Sequence, residues 1–123
     1  MTLQGAITKV QFETDIEEDE TAKETLRETF DLLAERISRE EGKNIAGKLP
    51  AEMETWTIDW DTHAEQSFGV DEFLERLADR LDVDKQTAQH RAQAAFEALE
   101  METDPFERSR IEGQLPDEYD TLL

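Results

Sequence analysis

The sequence contains no cysteine. That absence removes disulfides, thiolate metal sites and thiol nucleophiles together. Glycine is scarce as well: the five residues stand alone at Gly5, Gly42, Gly47, Gly69 and Gly113. No glycine-rich phosphate loop can be assembled from them. No stretch approaches the roughly 20 apolar residues of a membrane span. The opening "MTLQGAITKV" lacks the charged start and long apolar core of a secretion signal. Two histidines are present, His63 and His90, and neither stands beside a nucleophile motif, so a Ser-His-Asp set has no support. The expectation is a cytoplasmic protein that spans no membrane, binds no cofactor and is not an enzyme.

Positive charge is the other shortage. Thirteen Lys+Arg stand against 32 Asp+Glu, a net charge of -19 on 123 residues. The excess is not a tail: residues 1–57 carry 14 acids and 7 bases, and residues 58–123 carry 18 and 6. The longest acidic run is Glu17 to Glu20. Such a surface repels phosphate backbones and anionic lipid, which excludes nucleic acid and membrane as partners. A nucleic-acid mimic is the remotest reading of the charge. The surface also strains the compact state by self-repulsion unless salt screens it. With five lysines and eight arginines, the balance resembles proteins of halophiles that keep molar salt in the cytosol, more than an ordinary acidic protein. Disorder, the other home of such charge, is contradicted by the order of the apolar residues.

What is present is a repeat. The offset that carries Gly47 onto Gly113 aligns "GKLPAEMET" (Gly47 to Thr55) with "GQLPDEYDT" (Gly113 to Thr121). It gives 11 identities over the 36 positions from Thr21 to Trp56, without a gap. Upstream, an offset one position longer aligns Leu3 with Val70, Ile7 with Leu74, Val10 with Leu77 and Ile16 with Val83. An internal duplication follows: one domain over 1–123, made of repeat one (1–57), an inter-repeat segment (58–67) and repeat two (68–123).

Each copy reads as helices. Ala22, Leu26, Phe30, Leu33 and Ile37 form one apolar stripe; Phe73, Leu74, Leu77, Ala78 and Leu81 form another; Ala88, Ala92, Ala95, Phe96 and Leu99 a third. Gly69 with Phe68 and Phe73 has the spacing of a cap under a hydrophobic staple, and Asp84 caps the next helix. "SREE" (Ser38 to Glu41) and "DPFE" (Asp104 to Glu107) are capping boxes that the same offset superposes. The stretch from Ile7 to Ile16 alternates like a strand at Val10, Phe12, Thr14 and Ile16, but its duplicate is helical, so helix is expected. The fold class is therefore all-α, a helical bundle of two tandem related units.

The Leu-Pro pairs are read as corners. Gly47 and Gly113 are expected to end helices in the left-handed conformation. Pro50 and Pro116 hold Leu49 and Leu115 out of helical dihedrals and start short new helices, with Glu52 or Glu118 in the first turn at the positive end. Leu49 and Leu115 are expected to be mostly buried. A docking edge is the alternative role.

These corners (Leu49 to Glu52, Leu115 to Glu118), the "AERIS" at Ala34 to Ser38, and the run "FGVDEFLER" from Phe68 to Arg76 resemble the bacterial and archaeal family called domain of unknown function 2267. The resemblance covers nearly the whole chain. It implies duplicated small all-helical units and transfers no activity, catalytic residue or ligand.

Chemistry has few candidates. Asp59, Asp61 and His63 (with Glu65) alternate in "IDWDTHAEQ" and offer oxygen and imidazole ligands for a divalent ion. The EF-hand template fails there, because Ala64 stands where glycine is needed and Val70 where glutamate is; a solvated linker is the competing reading. His90 falls off its helix's apolar stripe and reads as exposed. Trp56 and Trp60, four apart at the seam of the copies, either plug a groove or anchor a partner. The function expected is a non-enzymatic interaction or regulatory module with an unknown protein partner, as monomer or homodimer. The alternative is a small-molecule or divalent-metal-binding protein.

Overall fold

The computed structural model describes residues 2–56, 58, 60, 68–101, 105–115 and 117–122. Among these the chain forms six α-helices and two short 3-10 helices, with no strand. The first four elements are α1 (Leu3–Glu13), α2 (Asp19–Arg36), α3 (Arg39–Ala46) and a 3-10 helix (Ala51–Trp56). The last four are α4 (Val70–Leu81), α5 (Lys85–Glu100), α6 (Pro105–Gln114) and a second 3-10 helix (Asp117–Thr121). The later elements start where the sequence offset places them: Val70 answers Leu3, Lys85 answers Asp19, Pro105 answers Arg39 and Asp117 answers Ala51.

Local chemistry sets the boundaries. Asp84 opens α5, its Oδ1 accepting from the Thr87 N–H at 2.7 Å. That bond holds the Asp84 carboxyl below its ordinary range. Ser38 opens α3 by accepting from the Glu41 N–H at 3.3 Å. Pro105 is the first residue of α6, where a missing N–H leaves no bond unmade; Asp104 of the expected box lies outside the described residues. Gly69 gives α4 no side-chain cap, and the Phe68 and Phe73 rings bracket it at 6.3 Å.

α1 decides between the two patterns of its sequence. Thr2 caps it by accepting from the Gly5 N–H at 3.1 Å. Ala6, Ile7 and Val10 are buried, the spacing of one helical face. Thr14 ends it: its hydroxyl donates to the Val10 carbonyl at 2.7 Å and accepts from the Ile16 N–H at 3.2 Å. The expected helix forms, and Phe12, which a strand would have set beside Val10, is left 80% exposed.

Four helices enclose the core. α1 packs on α2 and α5, α4 packs on α5 and α2, and α2 packs on α5. If α1 is exchanged for α4 and α2 for α5, the same pairs remain in contact. The three apolar stripes expected from sequence are buried throughout. α5 also buries Ala94 and Ala98, and α2 buries Thr25 and Thr29. The Thr25 hydroxyl donates to the Thr21 carbonyl at 2.9 Å. The hydroxyl of Thr29, Oε1 of Glu41 and Nε of Arg91 are buried without a hydrogen-bond partner, and nothing in the packing explains them.

Ion pairs tie the helices across the halves. Arg80 of α4 reaches three carboxylates on α2: Asp31 at 2.7 Å, Glu35 at 3.3 Å and Glu28 at 3.4 Å. Lys9 of α1 reaches Glu97 of α5 at 3.5 Å and Glu13 at 2.8 Å. The bond to Glu13, with support from Glu97, raises the Lys9 pKa. The sequence offset aligns Asp31 with Glu97, and each takes a cation, Asp31 from α4 and Glu97 from α1.

The expectation for the glycines is corrected. Gly47 is right-handed, φ -68° and ψ -15°. Among the described residues no glycine has positive φ, and the one left-handed residue is Asp82, φ 55°, which ends α4. There the Val83 N–H reaches back to the Ala78 carbonyl at 3.0 Å, a Schellman-type closure. At Gly47 the helix instead tightens. Lys48 N–H donates to the Ile45 carbonyl at 2.9 Å and Leu49 N–H to Ala46 at 3.4 Å, so the terminal carbonyls are used without reversing φ. Gly113 lies inside α6, and a Cβ added there would meet nothing within 4 Å.

Candidate functional site

The two Leu-Pro corners share one device that their sequence did not announce. Glu118 Oε1 accepts from the Val70 N–H at 2.6 Å, and Glu52 Oε2 accepts from the Leu3 N–H at 3.4 Å. Each carboxylate therefore caps the first helix of its own half from 48 or 49 residues away. The sequence pattern assigns these glutamates to the starts of their own short helices. The correction has a steric counterpart at Gly69: a Cβ built there would run into the Glu118 carboxylate, so the glycine makes room for a cap supplied from outside. The sequence offers one hint, the shared position of Glu52 and Glu118 in the two corners, and it points to neither helix start.

Beyond that device the corners diverge. The second is closed. Leu115 is buried, and Tyr119 and Leu122 are fully enclosed. The Tyr119 hydroxyl donates to the Phe68 carbonyl at 2.9 Å, and Arg36 Nε donates to the same oxygen at 2.9 Å. Phe73 meets the Tyr119 ring edge-on at 5.8 Å, and the Arg36 guanidinium stands 5.7 Å from the ring centre. Burial pushes the Tyr119 pKa up to about 12, against the opposing pull of Arg36. Gln93 donates to the Thr121 carbonyl at 2.7 Å, which ties the end of this corner to α5. Pro116 lies outside the described residues.

The first corner is open. Met53 stands in the place of Tyr119, and Trp56 in that of Leu122. Met53 and Pro50 are buried, but Leu49, Trp56, Ile58 and Trp60 are partly buried against the core. Both leucines are mostly buried as expected, Leu115 more completely than Leu49. Ala46, Leu49, Pro50, Met53, Ile58 and Trp60, with Glu54 as the charged member, line a pocket of about 210 Å³. The Trp60 ring lies 6.5 Å from Phe30 at 46°. Its backbone crosses α3 closely: a Cβ on Gly42 would fall 2.5 Å from the Trp60 carbonyl oxygen. Gly42 is therefore required by the Trp60 segment, and the sequence offset aligns it with Arg108.

Other candidates sort quickly. Asp59, Asp61 and His63 lie outside the described residues. Among the described residues no group of three or more acidic or histidine side chains is arranged to hold a metal ion, and no helix is long and apolar enough to cross a membrane. His90 is exposed on α5. It lines an open cleft of about 610 Å³ with Asp15, Gln86, Thr87, Gln89 and Gln93.

Chemically, the first pocket offers an apolar floor and one carboxylate. At about 210 Å³ it falls below the roughly 300–1,000 Å³ of small-molecule sites and suits a single apolar side chain. No curated protein matches the sequence. The chain belongs to a family described as an uncharacterized conserved protein, DUF2267, whose model matches residues 4–122.

Proposed function

We propose that this protein is a non-enzymatic interaction module, and that the open first corner takes an apolar side chain from a protein partner. The observation that carries the reading is the contrast at equivalent positions. Tyr119, Leu115 and Leu122 close the second corner, whereas Leu49, Met53, Ile58 and Trp60 line an apolar pocket at the first. Half-buried tryptophans beside a pocket are the kind of group that dominates binding energy. Glu54 on the lining and the acidic surface around it favour a helix whose leucine or phenylalanine is flanked by lysine or arginine. A small-molecule site is the second reading, favoured only by the size of the α5 cleft.

The scaffold is read as a duplicated helical unit within one domain. The supporting observations are the 11 identities, the nearly constant offset between element starts, the exchangeable helix pairs and the paired glutamate caps. The acidic surface is read as an adaptation to a cytoplasm of high salt. A thermal melt from about 0.05 to about 2 M potassium chloride, spanning Debye lengths of roughly 14 to 2 Å, should rise steeply; a flat midpoint would remove that reading.

The functional test is affinity capture in molar salt with wild-type and Leu49→Asp bait. Circular dichroism of the variant establishes that it folds. The expected result is a protein retained by wild type and lost with the variant. The same proteins on both baits, or a bound small molecule alone, would overturn the interaction reading.

A further inference from the structure

The two seams between the halves are alike in packing and unlike in charge. α2 and α4 together carry ten acids against five bases. α1 and α5 carry Glu13, Glu97 and Glu100 against Lys9, Lys85 and Arg91. Residues 2–12 and 85–96 contain no acid at all, and the two helices that hold them lie against each other. A chain of net charge -19 therefore has one face close to charge balance, with a single acid in excess once Asp15 beside α1 is counted.

That face carries both a projection and a recess. Phe12 projects from α1, 80% exposed, the most exposed of the large apolar side chains among the described residues. Close by, the cleft of about 610 Å³ is lined by Asp15 from the α1–α2 connection and by Gln86, Thr87, Gln89, His90 and Gln93 from α5. Asp15, three residues after Phe12, lines that cleft and sets the two side by side. Between them Glu13 accepts from Lys9 at 2.8 Å, a bond that holds its carboxyl below the ordinary range. Glutamine side chains present methylenes as well as amides, so the cleft can accept a ring while its amides bond to backbone.

The geometry points to this face as the contact between two copies of the chain, with Phe12 of each copy entering the Gln89–His90 cleft of the other. A twofold contact sets one patch against itself, so the patch must be near neutral and must hold both the knob and the hole. The α1/α5 face meets both conditions. The α2/α4 seam fails the charge condition, since two copies would oppose like charges across it. Depletion of charge and an aromatic anchor are also the marks of an interface centre. A nucleic acid or an acidic tail would require a net positive face, which balanced charge does not provide.

The contact uses none of the residues of the first-corner pocket, so the two proposals fail separately. The test is sedimentation velocity of the full chain in about 2 M potassium chloride, over micromolar concentrations that bracket a Kd in that range. The expected species is a dimer of twice the 14.2 kDa chain mass. Phe12→Asp, at an exposed site, should keep the wild-type melting profile and weaken dimerisation at least tenfold. His90→Glu should weaken it from the other side. An equimolar mixture of the two variants retains one intact knob-in-hole contact and should dimerise better than either alone. A wild-type chain monomeric throughout, a Phe12→Asp chain as dimeric as wild type, or a mixture no better than its components would overturn the proposal.

Discussion

The second corner of the chain encloses a tyrosine whose hydroxyl bonds inside the core; the first leaves two tryptophans and a leucine only partly buried. Both are built on the same Leu-Pro-x-Glu frame, and both send their glutamate to the first helix of their own half. A shared frame therefore fixes where a corner sits and leaves its surface to vary. The seams teach the same point. Arg80 on α4 gathers three carboxylates of α2, while Lys9 on α1 meets Glu97 and Glu13. The carboxylates Asp31 and Glu97 correspond, and the charge around them differs.

The largest expected effect separates the corners. Leu115→Ala removes a buried side chain and should cost about 2–5 kcal/mol. Leu49→Ala removes one that is less completely buried and should cost about 1–2 kcal/mol. Chemical denaturation of the two variants measures both. Equal losses would mean that the first corner closes in solution, and that its pocket is not open to a partner.

Much of this frame was legible and some of it was not, for physical reasons. The stripes through Phe30, Leu77 and Phe96 were readable because burial follows helical periodicity. The caps at Ser38 and Asp84 were readable because they act within three residues. α1 was readable only through its sequence alignment with α4, since Val10, Phe12, Thr14 and Ile16 fit a strand equally well. The glutamate caps were not readable: they close over 48 and 49 residues, and no local pattern reports such a distance. The handedness at Gly47 was not readable because a glycine past a helix permits the left-handed conformation without requiring it. The open state of the first corner depends on Trp60 lying across Gly42, again a contact that no local pattern reports.

The next effect separates the seams. Arg80→Ala takes a shared cation from Asp31, Glu35 and Glu28, of which Glu28 keeps Arg27 at 3.4 Å, each pair being worth at most about 1 kcal/mol at a solvated site. The loss should reach about 1–2 kcal/mol in low salt and shrink toward zero in molar salt, where the Debye length is about 3 Å. Lys9→Ala should cost less than about 1 kcal/mol and depend on salt more weakly. Melts of both variants across a salt series provide the comparison. A salt response that is the same for both would mean that the acidity of the α2/α4 seam does not distinguish it.

A smaller effect tests the shared frame. Glu118→Gln weakens a charged cap on α4, which has no cap of its own, and should cost about 1 kcal/mol. Glu52→Gln acts on α1, where Thr2 already caps and the Glu52 bond is long at 3.4 Å. Its cost should be a few tenths of a kcal/mol, at the low end for a helix terminus. A reversed order would put the weight of the frame on the first half.

The pH-dependent effect belongs to Tyr119, and it is absent at neutral pH and grows only in alkali. Its folded pKa is raised to about 12 from the ordinary 10.0, chiefly because burial disfavours the phenolate. A group whose folded pKa is raised stabilises the fold fully below the unfolded pKa and loses that contribution as pH rises through the folded one. The window is therefore from about 10 to about 12. Met53 at the equivalent place has nothing to titrate, so this pH dependence is confined to the second corner. The chain has a single tyrosine, which makes the ultraviolet absorbance of tyrosinate a reading of this one site. In the folded protein the absorbance should rise near pH 12, and in denaturant near pH ~10. Tyr119→Phe should abolish the signal, and at neutral pH it should cost only about 1 kcal/mol, because Arg36 still donates to the Phe68 carbonyl. Ionisation near pH ~10 in the folded chain, the value of a solvated tyrosine, would mean that the second corner admits water, and the contrast between the corners would then be lost.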